Sequence, residues 1–219
     1  MPLDPREDLQ VYATPRSEPV ADADEFPDPD EPGLIGAEFW PRAAARLIDW
    51  VYLLFVASVG GIVAGLVMVI LEARGAITPG WAERVGEGRI LGMVVGTIAS
   101  ITYHAVSESV HGASLGKLCL RLRVVTTEGR RAGLYAGLVR NLAFLVDSFF
   151  FGVVGASAMG NSPTNQRYGD QWARTLVVRV ADLPPVQRPS TARFLGALAL
   201  ASLLAGLINT GHMIFNGLG

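Results

Sequence analysis

The stretch 40-WPRAAARLIDW-50 decides how the chain is read. It carries Arg42, Arg46 and Asp49 and runs directly into a segment free of formal charge from Trp50 to Leu71. An apolar run longer than roughly 18 residues can cross a bilayer as a helix. Charge at the head of such a helix either stays at headgroup depth or is buried for a purpose, because an isolated ion in hydrocarbon is costly.

Other segments repeat the pattern. Ile90 to Ser107 and Phe194 to Gly219 carry no formal charge, and Asn141 to Gln166 carries only Asp147. Of the 219 residues 17% are charged, against about a quarter in soluble domains. The mean hydropathy is +0.36. The expected class is therefore an all-α integral membrane protein of about four hydrophobic helices. The third is the weak one. Its apolar residues between Leu142 and Val154 contribute about -3 to -5 kcal/mol on an insertion scale, and Asp147 takes back about 2.5 to 3.5 kcal/mol. It either crosses with partners or re-enters part way.

Three regions follow. Residues 1–38 hold eleven acids, from Asp4 to Glu38, against Arg6 and Arg16, together with seven prolines. That composition cannot bury a core and reads as a disordered acidic tail. Residues 39–180 form the membrane domain, and 181–219 a linker with a further helix. Within the loops, Leu118 to Val125 and Thr175 to Val180 alternate like short strands. Their pairing would put both loops on one side and favour a shallow third segment. Lys and Arg placement then assigns the N-terminus to the cytoplasm. Gly61 with Gly65, and Gly92 with Gly96, are spaced for close helix approach. Cys119 reads as a small apolar filler.

Arg42, Arg46 and Asp49 share one helical face, with Arg46 and Asp49 within ion-pair reach. The stretch 140-RNLAFLVD-147 repeats the spacing with Arg140 and Asp147. Two such helices facing one another would hold a partly neutralised cluster able to relay a cation or proton. The plainer alternative is that the arginines reach the headgroups and the aspartates staple helices. His104, Glu108 and His111 are spaced for a metal face, but Gly112 is expected to end the helix before His111 contributes. The turn 112-GASLGK-117 is one residue too short between its glycines for a phosphate loop, and Lys117 is expected near anionic headgroups. No cofactor motif, catalytic nucleophile or nucleic-acid-binding pattern is present.

Five blocks in order resemble the RDD family of bacterial membrane proteins: FWPRAAARLIDW, E108-SVHGASLGK-117, RLRVV, RNLAFLVD and QRYGDQWARTLVV. The resemblance assigns the naming residues to Arg42, Asp49 and Asp147, and extends to Glu108, Gly112, Gly116, Lys117, Arg140 and Asp170. Ser114 stands where the family commonly has Thr. The resemblance implies a multispan bacterial inner-membrane protein, with transport of ions or solutes proposed for the family and sodium–proton exchange linked to some members. The expected function is transport through the Arg42, Asp49, Arg140 and Asp147 cluster, with Arg46, Glu108, Lys117 and Asp170 secondary. The alternative is a non-transporting anchor that recruits a partner through its acidic tail and basic loops. The expected partners are the lipid bilayer, ions or protons, and further copies of the chain.

Overall fold

The computed structural model describes residues 34–183 and 191–218. The acidic tail up to residue 33 lies outside them.

The first helix, α1 (Phe39–Ala73), has 35 residues and a length of about 52 Å. This exceeds the roughly 30 Å of bilayer hydrocarbon. The charge-free part from Trp50 onward is enough for the crossing, so the charged first turns are free to pack in a head at one end. A short α2 (Trp81–Glu87) leads into α3 (Arg89–Val110). Gly112, at φ +93°, turns the chain into α4 (Leu115–Cys119), which hands it to β1 (Leu122–Thr126). After α5 (Leu134–Asp147) come a 3-10 turn, Phe149–Gly152, and α6 (Val153–Gly160). The head closes with α7 (Tyr168–Trp172) and β2 (Thr175–Arg179) before α8 (Thr191–Leu218).

Three of these helices, α1, α3 and α8, are long and apolar enough to cross a membrane. The third hydrophobic segment is not a fourth continuous span. At 14 residues, α5 reaches only about 21 Å, and its helix stops at Asp147. Positive φ at Phe150 and at Gly152 then redirects the chain. The charge that made this segment marginal in sequence is where its helix ends.

The two strands pair antiparallel, with Val124 opposite Val177 and Leu122 opposite Arg179. The ribbon is apolar on both faces. Leu122, Val124 and Val177 pack with Ala37 and Ala45 beneath α1, while Val125, Leu176 and Val178 pack with Leu183 and Leu34. Its pairing ties the loop after α3 to the loop before α8, so both lie at the N-terminal end of α1. The span bundle has its own core of Ala99, Tyr103, Ala201 and Ala205, with Tyr52 and Leu53 against it. Small residues at 197, 201 and 205, all buried, let α8 sit close to its neighbours.

The glycines spaced for close approach meet side chains rather than backbone: a Cβ at Gly61 or Gly92 would contact Met213 or His212 of α8, one at Gly65 would contact Trp81, and one at Gly96 nothing within 4 Å. One expectation needs correction. Cys119 is exposed rather than packed. The closest helix approach lies elsewhere, at Gly116, where an added Cβ would fall 1.9 Å from the Ala45 carbonyl oxygen. Backbone cannot yield as a flexible side chain can, so Gly116→Ala is expected to cost about 1–3 kcal/mol. Gly96→Ala should be neutral or slightly stabilising. Thermal unfolding of both variants in detergent checks the contrast.

Candidate functional site: a buried charged centre at the head of the spans

The head buries an unusual set of ionisable side chains. Asp49, Glu108, Arg140, Asp147 and Asp170 are each 2% exposed or less, and Arg42 is 8% exposed. Buried ions persist only if paired and hydrogen-bonded, so the partner of each group decides what it can do.

Asp170 is the hub. Its Oδ2 accepts from Arg42 NH1 at 2.5 Å and from the backbone N–H of Arg167 at 3.2 Å. Its Oδ1 lies 3.0 Å from Arg140 NH1 and 3.7 Å from Arg167 NH2. The Arg140 contact is an ion pair rather than an aligned hydrogen bond, since NH1 donates to Thr175 Oγ1 at 2.8 Å. Burial alone would raise the Asp170 pKa; Arg140, Arg167 and Arg42 outweigh it and hold the carboxyl well below the usual range.

Arg42 is fully engaged. Besides Asp170, its guanidinium donates from Nε to the Ala37 carbonyl at 2.9 Å, and from NH2 to the carbonyls of Asn165 at 2.9 Å and Val177 at 3.3 Å. One side chain thus ties α1 to the loop before α7 and to β2. Gly36 leaves room for it: a Cβ there would lie 2.7 Å from Arg42 NH2.

Glu108 links the hub to α4. It pairs with Lys117 through Oε1, and its Oε2 lies 3.3 Å from Arg140 Nε. Asn141 joins the two sides, donating to Glu108 Oε2 at 3.5 Å and accepting from Arg46 NH1 at 3.3 Å. The Arg46 guanidinium also stacks 3.9 Å from the ring centre of Phe144. Lys117, expected at the headgroups, is buried here instead, because α4 folds back under α1.

Asp49 has different company. Its carboxylate accepts from Ser114 Oγ at 2.6 Å, from the Gly116 backbone N–H at 2.8 Å and from Tyr103 Oη at 3.2 Å. The turn that resembles a phosphate loop therefore donates its backbone to a carboxylate of the same chain. Only His104 Nδ1, at 3.8 Å, approaches as an ionisable base. Asp147 accepts from the Gly169 backbone N–H at 3.4 Å and has Arg167 Nε at 3.8 Å. Gly169 is needed there, since a Cβ would meet Ala143, the Arg140 carbonyl and Asp147 at 3.0 to 3.2 Å.

All eight expected residues belong to this centre, but not in the expected pairs. Neither arginine of the R-x6-D repeats pairs with the aspartate of either repeat; both go to Asp170. Seven residues make just under two helical turns, too far along the axis for an Arg to meet the Asp of its own helix. Arg46 and Asp49 form no ion pair among the described residues. Arg42 and Arg140 do not reach for headgroups. Sequence reasoning missed Arg167, Tyr103, Asn141 and Thr175. Arg167 and Thr175 lie in the QRYGDQWARTLVV block and Asn141 in RNLAFLVD, but nothing in those stretches marks them apart from their neighbours. Among the described residues no group of three or more His, Cys, Asp or Glu is arranged to hold a metal.

Two apolar clefts reach the centre. One of about 790 Å³ runs between α1 and α5–α6, with Phe39, Trp50 and Phe144 on its walls and Arg42, Arg46, Asp147 and Arg167 at its floor. Another of about 560 Å³ lies between α1, α3, α5 and α8, closed at one end by Arg46 and Asn141. Arg46 borders both.

Asp170→Asn is expected to destabilise the fold by about 3–5 kcal/mol, because the buried Arg42 and Arg140 and the half-buried Arg167 lose their shared counter-ion. Arg130→Gln, on an exposed side chain, should change little. Chemical unfolding in micelles measures both. At the end of α3, His111 packs edge-on against Phe194 at 4.9 Å, and burial lowers its pKa to about 4, helped by Arg123 and Arg193. An unfolded histidine titrates near 6.5, so the folded state binds fewer protons between these values. The contribution is complete above about pH 6.5 and is lost as pH falls toward about 4. The Asp170 contribution has the same sign but a lower window, complete above about pH 3.9 and lost below it. His111→Phe should therefore flatten the stability profile between about pH 6.5 and 4, and leave the steeper loss at lower pH, read as melting temperature against pH.

No curated protein and no solved structure matches the chain significantly. The RDD family does, over residues 36–174, which spans α1 and every ionisable residue of the charged centre, while Thr175 lies just beyond it. This chain is a membrane protein and a member of the RDD family, whose matched region holds the ionisable residues of the head.

Proposed function

We propose that the charged centre moves an ion or small solute across the bacterial cytoplasmic membrane, with Asp49 as the exchanging group. Asp49 carries the reading. Glu108, Asp147 and Asp170 each have a lysine or arginine within 4.0 Å, whereas Asp49 rests on neutral donors with His104 at 3.8 Å. A carboxylate so held can take up a proton or a cation without breaking a salt bridge to arginine or lysine. Ionisable groups kept inside a membrane domain at such cost are functional candidates. The clefts meeting at Arg46 would give access, and its guanidinium would act as the movable part.

Strand pairing puts the bases from Lys117 to Arg179 at the N-terminal end of α1, leaving Arg74, Arg84 and Arg89 at the other. That asymmetry supports a cytoplasmic head. Three spans enclose little, so the working unit of this reading is a homo-oligomer. An anchor that recruits a partner through the acidic tail and the basic loops is the competing reading; the tail lies outside the described residues.

Purified protein in liposomes should dissipate an imposed proton or sodium gradient, and Asp49→Asn should reduce the rate by at least about tenfold. A chain lacking residues 1–33 should keep the flux. Absence of flux, or full flux in the Asn variant, removes the proposal.

A further inference from the structure

The charge inventory of the centre does not close. Its bases are Arg42, Arg46, Lys117, Arg140 and Arg167; its acids are Asp49, Glu108, Asp147 and Asp170. With all ionised, one positive charge remains, and protonation of any acid would enlarge the excess. Arg42, Lys117 and Arg140 are buried while Arg46 and Arg167 are half-buried, so the excess sits where the centre opens on the clefts, and a counter-ion there is the direct way to offset it.

The place for one is present. A cavity of about 20 Å³ lies among Arg42, Arg46, Lys117 and Arg167, with Asp49, Asn141 and Val177 completing its walls. A water-sized particle needs about 10–15 Å³ measured this way, so the cavity takes one small particle and excludes a phosphate or carboxylate. Arg46 and Arg167 both line it, and the Nε of each is buried and hydrogen-bonds to no protein group. Arg167 Nε is 3.8 Å from Asp147, beyond hydrogen-bond reach. The one repulsive wall is Asp49, whose oxygens already accept from Ser114, Gly116 and Tyr103. A water would satisfy the donors but not the charge; a small anion does both.

We propose that the centre binds one monovalent anion of halide size in the cavity between Arg42, Arg46, Lys117 and Arg167. The inference rests on the centre being the working site proposed above and names the charge class of an occupant, but it requires binding rather than flux. Arg46 is the residue to remove. Its hydrogen bonding is limited to a 3.3 Å contact with Asn141, so it holds less of the fold than Arg42 or Arg140.

The test uses the full chain in detergent, exchanged into sodium gluconate and titrated with sodium chloride at constant sodium. Chloride-35 line broadening and isothermal titration read the binding. The expected result is saturable binding of chloride and bromide, weakened about tenfold or more in Arg46→Gln, partly restored in Arg46→Lys and unchanged in Arg130→Gln. No saturable halide binding by the unaltered chain overturns the proposal and leaves a water as the occupant. Binding of full strength in Arg46→Gln overturns it equally. Should that variant fail to fold, bromide anomalous scattering from crystals of the unaltered chain decides, with a peak among the four bases expected and its absence fatal. Halide binding without gradient dissipation would remove transport and keep the site; dissipation without halide binding would do the reverse.

Discussion

One carboxylate, Asp170, gathers guanidinium groups from α1, α5 and the start of its own short helix. Everything in the head depends on that convergence. The partners are distant in sequence, Arg42 lying 128 residues from Asp170, so the contact exists only once α1, α5 and the β ribbon have assembled. Each guanidinium is tolerable in a low-dielectric setting because the others share its counter-ion. The same dependence explains the glycines at 36, 116 and 169. Each stands where backbone must come close enough for a charged group to reach its partner.

Much of this architecture is legible in the chain itself. Runs without charge mark α1, α3 and α8, since length and apolarity are local properties. The alternation in RLRVV and TLVVRV marks β1 and β2, and the weakness of the third segment foretells its break. The pairing of charges is not legible. R-x6-D invites a symmetric reading in which each arginine serves the aspartate of a like helix, yet Asp170 takes both arginines. Helical spacing reports which residues share a face and says nothing of what the face meets. Lys117 misleads in the same way: a lysine after a turn looks like a headgroup ligand until a neighbouring acid, Glu108, claims it. Family resemblance marked Glu108 and Asp170, though without their rank.

The membrane setting follows from α1. Its charge-free stretch is sufficient to cross the hydrocarbon, and its exposed side chains there are apolar, among them Leu54, Phe55 and Ile62. Trp40 and Trp50, both exposed, flank the charged turns, as aromatic residues do at headgroup level. The charged centre is thus expected near the boundary between hydrocarbon and water rather than at the bilayer midplane. There the cost of buried charge is lower. The helix α8, beyond the family region, packs through its alanine seam on Tyr103 and Tyr52, next to the charged head.

Arg42 spreads its donors over one carboxylate and three carbonyl oxygens that lie in different directions. A lysine in its place would keep the charge and lose the reach, since an ammonium donates from a single point. Carbonyls of three separate segments could not all be served, and the ties from α1 to the loop before α7 and to β2 would loosen. At this position the planar fork, more than the positive charge, is what the fold selects, so preserving charge there would not preserve the protein.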